Sequence, residues 1–190
     1  SLLGAQINGK NLGIVGMGKI GRAMAKRAHA FDMKIYYYST GRHPDIEERF
    51  NAAFLSFEEL LRNADFVCML PPYTAATHHM IGEKQLGLMK PTAFLINTSR
   101  GPVVDQKALV KALSMKTIAG AALDVFEGEP HPELPKELIA MPNVVLTPHL
   151  GSAVAEKREI MTNEIVDEII AFSQGKAPSH LFNPEVLGVI

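Results

Sequence analysis

Short apolar runs alternate with amphipathic segments along the chain. The apolar runs predict strands at 12–15, 33–38, 66–70, 93–97, 118–123 and 144–147. Segments with helical periodicity lie between them, at 19–31, just after residue 56, at 83–89 and at 106–114, and a last helix is predicted from about residue 152 to 172. Short apolar strands separated by helices are typical of an α/β fold. We therefore predict a doubly wound parallel sheet of the Rossmann type.

A glycine-rich segment, Gly16-Met17-Gly18-Lys19-Ile20-Gly21, directly follows the first strand and opens the first helix. In this position Gly16 permits a tight turn, Gly18 lets the backbone approach a pyrophosphate, and Gly21 lets helix and strand pack closely. The helix N-terminus then offers free N–H groups to the phosphates. The segment predicts dinucleotide binding, and the alternative is an ordinary glycine loop.

The end of the second strand carries no acidic residue. A carboxylate there would accept hydrogen bonds from the adenosine ribose of NAD. This chain instead has Ser39-Thr40-Gly41-Arg42-His43. Because a guanidinium forms bidentate bonds with phosphate, Ser39, Thr40 and Arg42 predict a 2′-phosphate and so favour NADP(H) over NAD(H). The alternative is a solvated turn in which Arg42 extends into water.

Composition excludes several function classes. The chain has 190 residues, a net charge of -1 and one cysteine. The charge argues against a nucleic-acid or membrane surface, and a single cysteine, Cys68, allows no disulfide within the chain. No apolar run reaches transmembrane length. We expect a cytoplasmic protein without nucleic-acid or membrane partners.

Three strand ends carry candidate catalytic residues, and the surrounding segments are Asn97 to Pro102, Leu123 to Pro130 and Leu146 to Ser152. Reduction of a 2-oxo acid needs an Arg for the substrate carboxylate, a His that exchanges a proton with the oxygen on C2, and a carboxylate that stabilises the imidazolium. Arg100, His149 and Glu129 supply these groups. Taken singly, each is an ordinary loop residue.

Two other features have plainer interpretations. His78 and His79 are adjacent, so their side chains are expected to diverge, and we predict no metal site there or elsewhere. Cys68 lies in a predicted strand and is expected to be an inert core thiol.

The motifs together resemble the D-isomer-specific 2-hydroxyacid dehydrogenase family over nearly the whole chain. The resemblance implies that Arg100 of N-x-x-R-G orients the substrate carboxylate, that Glu129 of D-V-F-x-x-E-P is the acidic partner, and that His149 of P-H-x-G is the acid/base. It also implies a cofactor-binding role for residues besides the three motif glycines, namely Lys19, Ile20, Pro71, Pro72, Thr77, Thr98, Ser99, Arg100, Asp124, His149, Gly151 and Ser152. Among these, Asp124, Thr98 and Arg100 are expected on the nicotinamide side.

Within this family the chain looks most like the NADPH-preferring reductases of glyoxylate, hydroxypyruvate and 2-ketogluconate. The segments that carry this likeness are Tyr36 to His43, Thr77 to Gly82 and Asn183 to Leu187. A homodimer formed through the cofactor domain is also expected. Its predicted surface combines the last helix with an apolar loop containing Met80, Ile81, Leu86 and Met89.

The chain departs from the family pattern in its length. Family members begin with a substrate domain of about a hundred residues, a common domain size. We expect residues 1–173 to form the dinucleotide-binding domain and residues 174–190 to be a linker that starts the return to a mostly absent substrate domain. Two alternatives stay open, a dinucleotide-sensing corepressor and an inactive cofactor-binding fragment. A formate-oxidising relative has Gln where this chain has Glu129, so the carboxylate favours a hydroxy acid.

Overall fold

The computed structural model describes residues 6–181, 183 and 185. The chain forms two compact units, the first ending at Pro148 and the second beginning at His149. The predicted boundary between residues 173 and 174 stays a prediction, and Pro184, Val186 and Leu187 of the tail used for the family resemblance lie outside the described residues.

The first unit is built on a seven-stranded sheet in which every neighbouring pair of strands is parallel. Its strands are β1 Asn11–Val15, β2 Lys34–Tyr38, β3 Ala53–Phe54, β4 Phe66–Met69, β5 Phe94–Asn97, β6 Gly120–Leu123 and β7 Val144–Leu146. Its helices are α1 Lys19–Ala30, α2 Pro44–Phe50, α3 Phe57–Asn63, α4 Glu83–Leu86, α5 Gln106–Ser114 and α6 Lys136–Ala140, with a 3-10 turn at Gly101–Val103. The predicted α/β fold with a doubly wound parallel sheet is confirmed.

Two hydrophobic clusters cover the two faces of this sheet. Alternate residues of one strand point to opposite faces, and accordingly Val67 and Met69 of β4 belong to one cluster while Cys68 belongs to the other. Helices α3 and α5 pack on the first face, and α1 and α2 pack on the second. Burial on both faces explains why the strands read as continuous apolar runs.

The strand order is β3-β2-β1-β4-β5-β6-β7, so the direction of winding reverses between β1 and β4. In open parallel sheets, ligands bind beyond the carboxyl ends of the strands at this reversal. The glycine-rich segment leaves β1 at this point, and the segment that begins at Leu70 leaves β4 beside it. The topology therefore brings the loops after β1 and β4 to one crevice.

Several elements differ from the sequence prediction. Strand β3 and helix α6 were not predicted, because β3 has two residues and α6 has five. Residues 45–49, which follow Pro44 in the sequence with the pattern of the first turn of a solvated helix, lie in helix α2. It continues to Phe50, because Ile46 and Phe50 bury their side chains in the cluster beneath it.

The expected divergence of His78 and His79 is wrong. Their rings stack with centroids 3.9 Å apart and planes 19° apart. The cause is the backbone of His79, which has φ of 48°, a left-handed conformation that turns its side chain back over His78. The Nε2 atom of His79 then lies 2.8 Å from a carboxylate oxygen of Glu127.

The apolar loop predicted as part of a dimer surface is also placed differently. Ile81, Leu86 and Met89 are buried in the hydrophobic core, and Met80 is partly buried against it. The backbone of Ile81 pairs with Val104, which anchors the loop to the segment after β5. These side chains stabilise the first unit and do not form a free surface.

The second unit contains the helix α7, Ala155–Ser173. The following residues fold back on it, since the backbone N–H of Ser179 donates to Glu168 at 2.8 Å and the imidazole of His180 lies 2.9 Å from the same carboxylate. Apolar side chains of α7 such as Ile165 and Ile169 are exposed. In the described part of the chain, every helix is too short or too polar to cross a bilayer.

Candidate cofactor and substrate site

The glycine-rich segment has the geometry of a phosphate cradle. Gly16 has φ of +99°, which permits the turn from β1 into α1. A Cβ on Gly21 would lie 2.2 Å from the carbonyl oxygen of Gly16, so only glycine allows this close packing. A Cβ on Gly18, in contrast, would meet nothing within 4 Å. The space beside Gly18 and the free N–H groups of the α1 N-terminus fit an anionic group such as a pyrophosphate.

Two adjoining cavities lie at the carboxyl edge of the sheet. The first, which we call the β2 cavity, has a volume of about 560 Å³ and is lined by the glycine-rich segment, the end of β2 and the loop after β4, including Gly16, Gly18, Ser39, Thr40, His43 and Thr77. The second, the β5 cavity, has a volume of about 650 Å³ and lies beside the ends of β5 and β6. Leu70, Pro71 and Pro72 line both. The pair makes an extended cleft of a size suited to a dinucleotide.

Arg100 and Glu129 line the same β5 cavity, together with Thr98 and Ser99. Asn97 shapes the loop that carries Arg100. Its side chain accepts a hydrogen bond from the hydroxyl of Ser99 at 2.9 Å and donates one to the carbonyl of Arg100 at 3.1 Å. The guanidinium of Arg100 donates from Nη1 to the carbonyl of Ser99 at 2.7 Å.

The segment after β6 positions the acidic residues. The backbone N–H of Phe126 donates to the carboxylate of Glu129 at 2.8 Å. Asp124 is buried, and its carboxylate accepts a hydrogen bond from the hydroxyl of Thr147, which comes just after β7. The site thus presents a cation and an anion, Arg100 and Glu129, to one enclosed volume. This pairing suits the binding of a small carboxylate whose neighbouring carbon undergoes proton-coupled chemistry.

Arg42 lies between Thr40 and His43 in the segment after β2 and is paired with a carboxylate. Its Nε donates to Glu47 at 3.1 Å, and its Nη2 donates to the second oxygen of the same group. Of the described residues after β2, Ser39, Thr40 and His43 line the cavity and Arg42 does not. The hydrogen bonds from Arg42 and then from Tyr37 lower the pKa of Glu47 to about 2.

Comparison with known proteins decides the family. Residues 1–151 match the family model described as D-isomer specific 2-hydroxyacid dehydrogenase, NAD binding domain. The chain belongs to this family. The resemblance predicted from the motifs is thereby confirmed.

Curated relatives in the D-isomer specific 2-hydroxyacid dehydrogenase family include reductases. A glyoxylate reductase of Thermococcus litoralis is 54% identical over 185 residues, covering 97% of this chain and 55% of the relative. A glyoxylate/hydroxypyruvate reductase B of Enterobacter agglomerans is 50% identical over 185 residues, covering 97% of this chain and 57% of the relative. The chain therefore spans about half the length of the curated relatives it matches.

Solved structures give the same family. A glyoxylate reductase from Paecilomyes thermophila matches with a TM-score of 0.84 and 38% identity, over 93% of this chain and 53% of that one. A D-isomer specific 2-hydroxyacid dehydrogenase from Lactobacillus delbrueckii ssp. bulgaricus, in its NAD complexed form, matches with a TM-score of 0.87 and 35% identity, over 96% of this chain and 58% of that one. The first unit is thus the NAD(P)-binding domain typical of this dehydrogenase family.

The structure places most of the predicted site residues in the first unit. Ile20, Thr98, Ser99, Arg100 and Glu129 line the β5 cavity, and Gly16, Gly18, Ser39, Thr40 and Thr77 line the β2 cavity. Other predicted residues of this unit line neither cavity, namely Lys19, Gly21, Arg42 and Asp124. His149, Gly151 and Ser152 open the second unit, in which His149 has a left-handed φ of 54°. The roles of all these residues stay predictions.

Sequence reasoning gave no site role to several residues that line the cavities. Phe126 and Gly128 line the β5 cavity, and Met80 lines the β2 cavity. Phe126 and Gly128 lie inside the D-V-F-x-x-E-P motif just past β6, so their place after a strand could have identified them. Met80 follows β4 by eleven positions along a loop and carries no such signal.

Proposed function

We propose that the protein containing this chain reduces a small 2-oxo acid to the D-2-hydroxy acid with a nicotinamide cofactor. The observation that carries the proposal is the presence of Arg100 and Glu129 in one cavity, which adjoins the glycine-rich cradle at the reversal of strand order. A cofactor with its pyrophosphate at Gly18 and its ring toward the β5 cavity fits this cleft. The names of the relatives support the same reaction class.

Each proposed catalytic residue has one task. When bound, the reduced nicotinamide supplies the hydride that is added to C2 of the oxo acid. Arg100 binds the substrate carboxylate through charge-assisted hydrogen bonds and so orients C2. His149 donates a proton to the oxygen on C2 as the carbonyl becomes a hydroxyl, and Glu129 stabilises the imidazolium that holds that proton.

NADP(H) is the proposed cofactor, with NAD(H) as the alternative. The support is chemical, since Ser39, Thr40 and His43 offer hydrogen-bonding groups in the β2 cavity where an NAD-selecting carboxylate would stand. Arg42 is the nearby cation suited to a 2′-phosphate. Asp124, Thr98 and Arg100 are proposed to contact the nicotinamide side.

The proposed substrates are glyoxylate, hydroxypyruvate or 2-ketogluconate.

We also propose a homodimer, for which the exposed apolar side chains of α7 are the remaining candidate surface. A light-scattering mass of one chain at micromolar concentration would contradict the dimer. A cytoplasmic location is proposed because one cysteine, Cys68, allows no disulfide within the chain, which fits a reducing compartment.

The direct test is a substrate panel on the full-length protein. With NADPH, we expect turnover of at least one of the three oxo acids, and we expect Arg100→Met to raise KM for it by about tenfold to a hundredfold, the equivalent of a lost charged hydrogen bond. Glycolaldehyde, which lacks the carboxylate, is the control substrate, and Arg100→Met should impair its turnover less than that of the oxo acid. NADPH binding without turnover of any oxo acid would contradict the reductase and favour a sensing role.

A further inference from the structure

A hydrogen-bonded group of side chains lies at the end of β2 and is formed by the buried Tyr37, the partly buried Glu47 and the exposed Arg42. The hydroxyl of Tyr37 donates to Oε1 of Glu47 at 2.6 Å, and Nε of Arg42 donates to the same oxygen at 3.1 Å. The Nη2 of Arg42 donates to Oε2. The guanidinium therefore binds the carboxylate through two parallel bonds, while its own side chain is 65% exposed.

This pair persists across the neutral pH range. The hydrogen bonds from Arg42 and Tyr37 lower the pKa of Glu47 to about 2, so its side chain is a carboxylate at any pH at which the protein works. A carboxylate and a phosphate offer a guanidinium the same fork of two oxygens. The pair of donors at Nε and Nη2 cannot hold both groups at once, so a 2′-phosphate that binds Arg42 through these two atoms must displace the carboxylate.

Two side chains, Ser39 and His43, line the β2 cavity and carry no charge that would distinguish NADPH from NADH. Nη2 of Arg22 lies 3.0 Å from Nδ1 of His43, and a guanidinium can only donate. Nδ1 is therefore the acceptor, and the proton of the neutral imidazole sits on Nε2, which faces Oγ of Ser39 at 3.4 Å. The charge of Arg22 is itself paired with Asp45. Ser39 and His43 thus offer neutral groups that suit a ribose hydroxyl and a phosphate alike.

We propose that Glu47 is a specificity-determining residue that holds Arg42 out of the β2 cavity and competes with the cofactor 2′-phosphate for its guanidinium. The inference rests on the proposed function, in that it takes this cavity as the site of the adenosine end of a dinucleotide. Arg42 is the source of the preference for NADPH, and Glu47 limits that preference. NADH has no 2′-phosphate, so it binds without disturbing the pair.

The test is calorimetric binding of NADPH and NADH to this chain and its variants. Glu47→Gln keeps an oxygen that accepts from Tyr37 and removes the charge that holds Arg42. It should tighten NADPH by about two- to fivefold, the gain expected from freeing an exposed ion pair, and leave NADH unchanged. Glu48→Gln is the matched control, since it makes the same charge change at the next position of α2, on an exposed side chain. It should change neither affinity.

Arg42→Ala completes a double-mutant cycle with Glu47→Gln. Alone it should weaken NADPH and not NADH, and in its background Glu47→Gln should have no further effect. An unchanged NADPH affinity in Glu47→Gln, or a gain that persists without Arg42, would overturn the role of Glu47 while leaving dinucleotide binding intact. Failure of the wild-type chain to bind either dinucleotide would instead contradict the proposed function.

Discussion

A carboxylate oxygen of Glu129 accepts a hydrogen bond from the backbone N–H of Phe126 at 2.8 Å. The bond closes the short segment after β6 and fixes the acid within the first unit. Glutamine at position 129 retains an oxygen that can accept this bond, and alanine does not. Comparing Glu129→Gln with Glu129→Ala therefore distinguishes the effect of losing this hydrogen bond from the effect of losing the negative charge.

Glu129→Gln should slow reduction without abolishing it. In the proposed reaction the Glu129 carboxylate stabilises the imidazolium that donates the proton, and glutamine keeps an oxygen that accepts from the N–H of Phe126 but carries no charge. We expect kcat/KM for the oxo acid to fall by about tenfold or more in the full-length enzyme. A value of kcat/KM equal to that of the wild type would show that Glu129 does not act through charge.

The contact between His79 and Glu127 should stabilise the first unit modestly. It joins the loop after β4 to the segment after β6, and Glu127 also accepts from the backbone N–H of Gln106 at 3.3 Å. Because both side chains are partly exposed, His79→Ala should lower the free energy of unfolding by about 0.2–1 kcal/mol. Urea unfolding measures this, with His131→Ala as the control because it removes an exposed imidazole elsewhere in the first unit. An equal loss of unfolding free energy in the two variants would show that the contact between His79 and Glu127 does not stabilise the first unit.

Alanine substitutions should separate the tasks of two glycines. Gly21→Ala places a Cβ 2.2 Å from a backbone oxygen and should destabilise the fold by about 1–3 kcal/mol, the cost of overpacking. Gly18→Ala meets open space, so the protein should unfold at the wild-type urea concentration but bind NAD(P)H more weakly. Wild-type stability of Gly21→Ala would contradict the packing, and wild-type affinity of Gly18→Ala would contradict the cradle.

Cys68 should be unreactive in the folded protein. Its side chain is 1% exposed, and burial raises the pKa of its thiol to about 12. Alkylation needs the thiolate, so iodoacetamide at about pH 8 should modify the native chain far more slowly than the chain in urea. Because the folded pKa lies above the unfolded value, the neutral thiol supports the fold below about pH 8.5, and this support is lost as pH rises toward 12. Native labelling as fast as that of a free thiol would refute the burial.

Most of the fold followed from the sequence because doubly buried strands leave a continuous apolar run. β1 and β4 to β6 were predicted on that ground, whereas β2 and β7 have apolar runs but are only partly buried. The two residues of β3, Ala53 and Phe54, are too few to make a pattern, and α6 lies behind Pro135 in a proline-rich stretch. The left-handed backbone of His79 could not be predicted either, because it is set by the hydrogen bond of its N–H to Pro102 and not by residue type.

The candidate site, like the fold, was predicted from the sequence only in part. Arg100 and Glu129 were predicted from their place after strands, and the sheet brings both to the β5 cavity. The pairing of Arg42 with Glu47 was not predicted, because it depends on where α2 places a side chain five positions further on. Sequence alone identified the cation suited to a phosphate and missed the carboxylate that holds it.

The most direct test of the central claim is the product formed from hydroxypyruvate and NADPH by the full-length protein. The account predicts that NADPH is oxidised in equal amount to D-glycerate formed, and that His149→Ala binds NADPH normally but forms almost no product. Formation of L-glycerate, an absence of product from the wild type with all three oxo acids, or an active His149→Ala enzyme would contradict it.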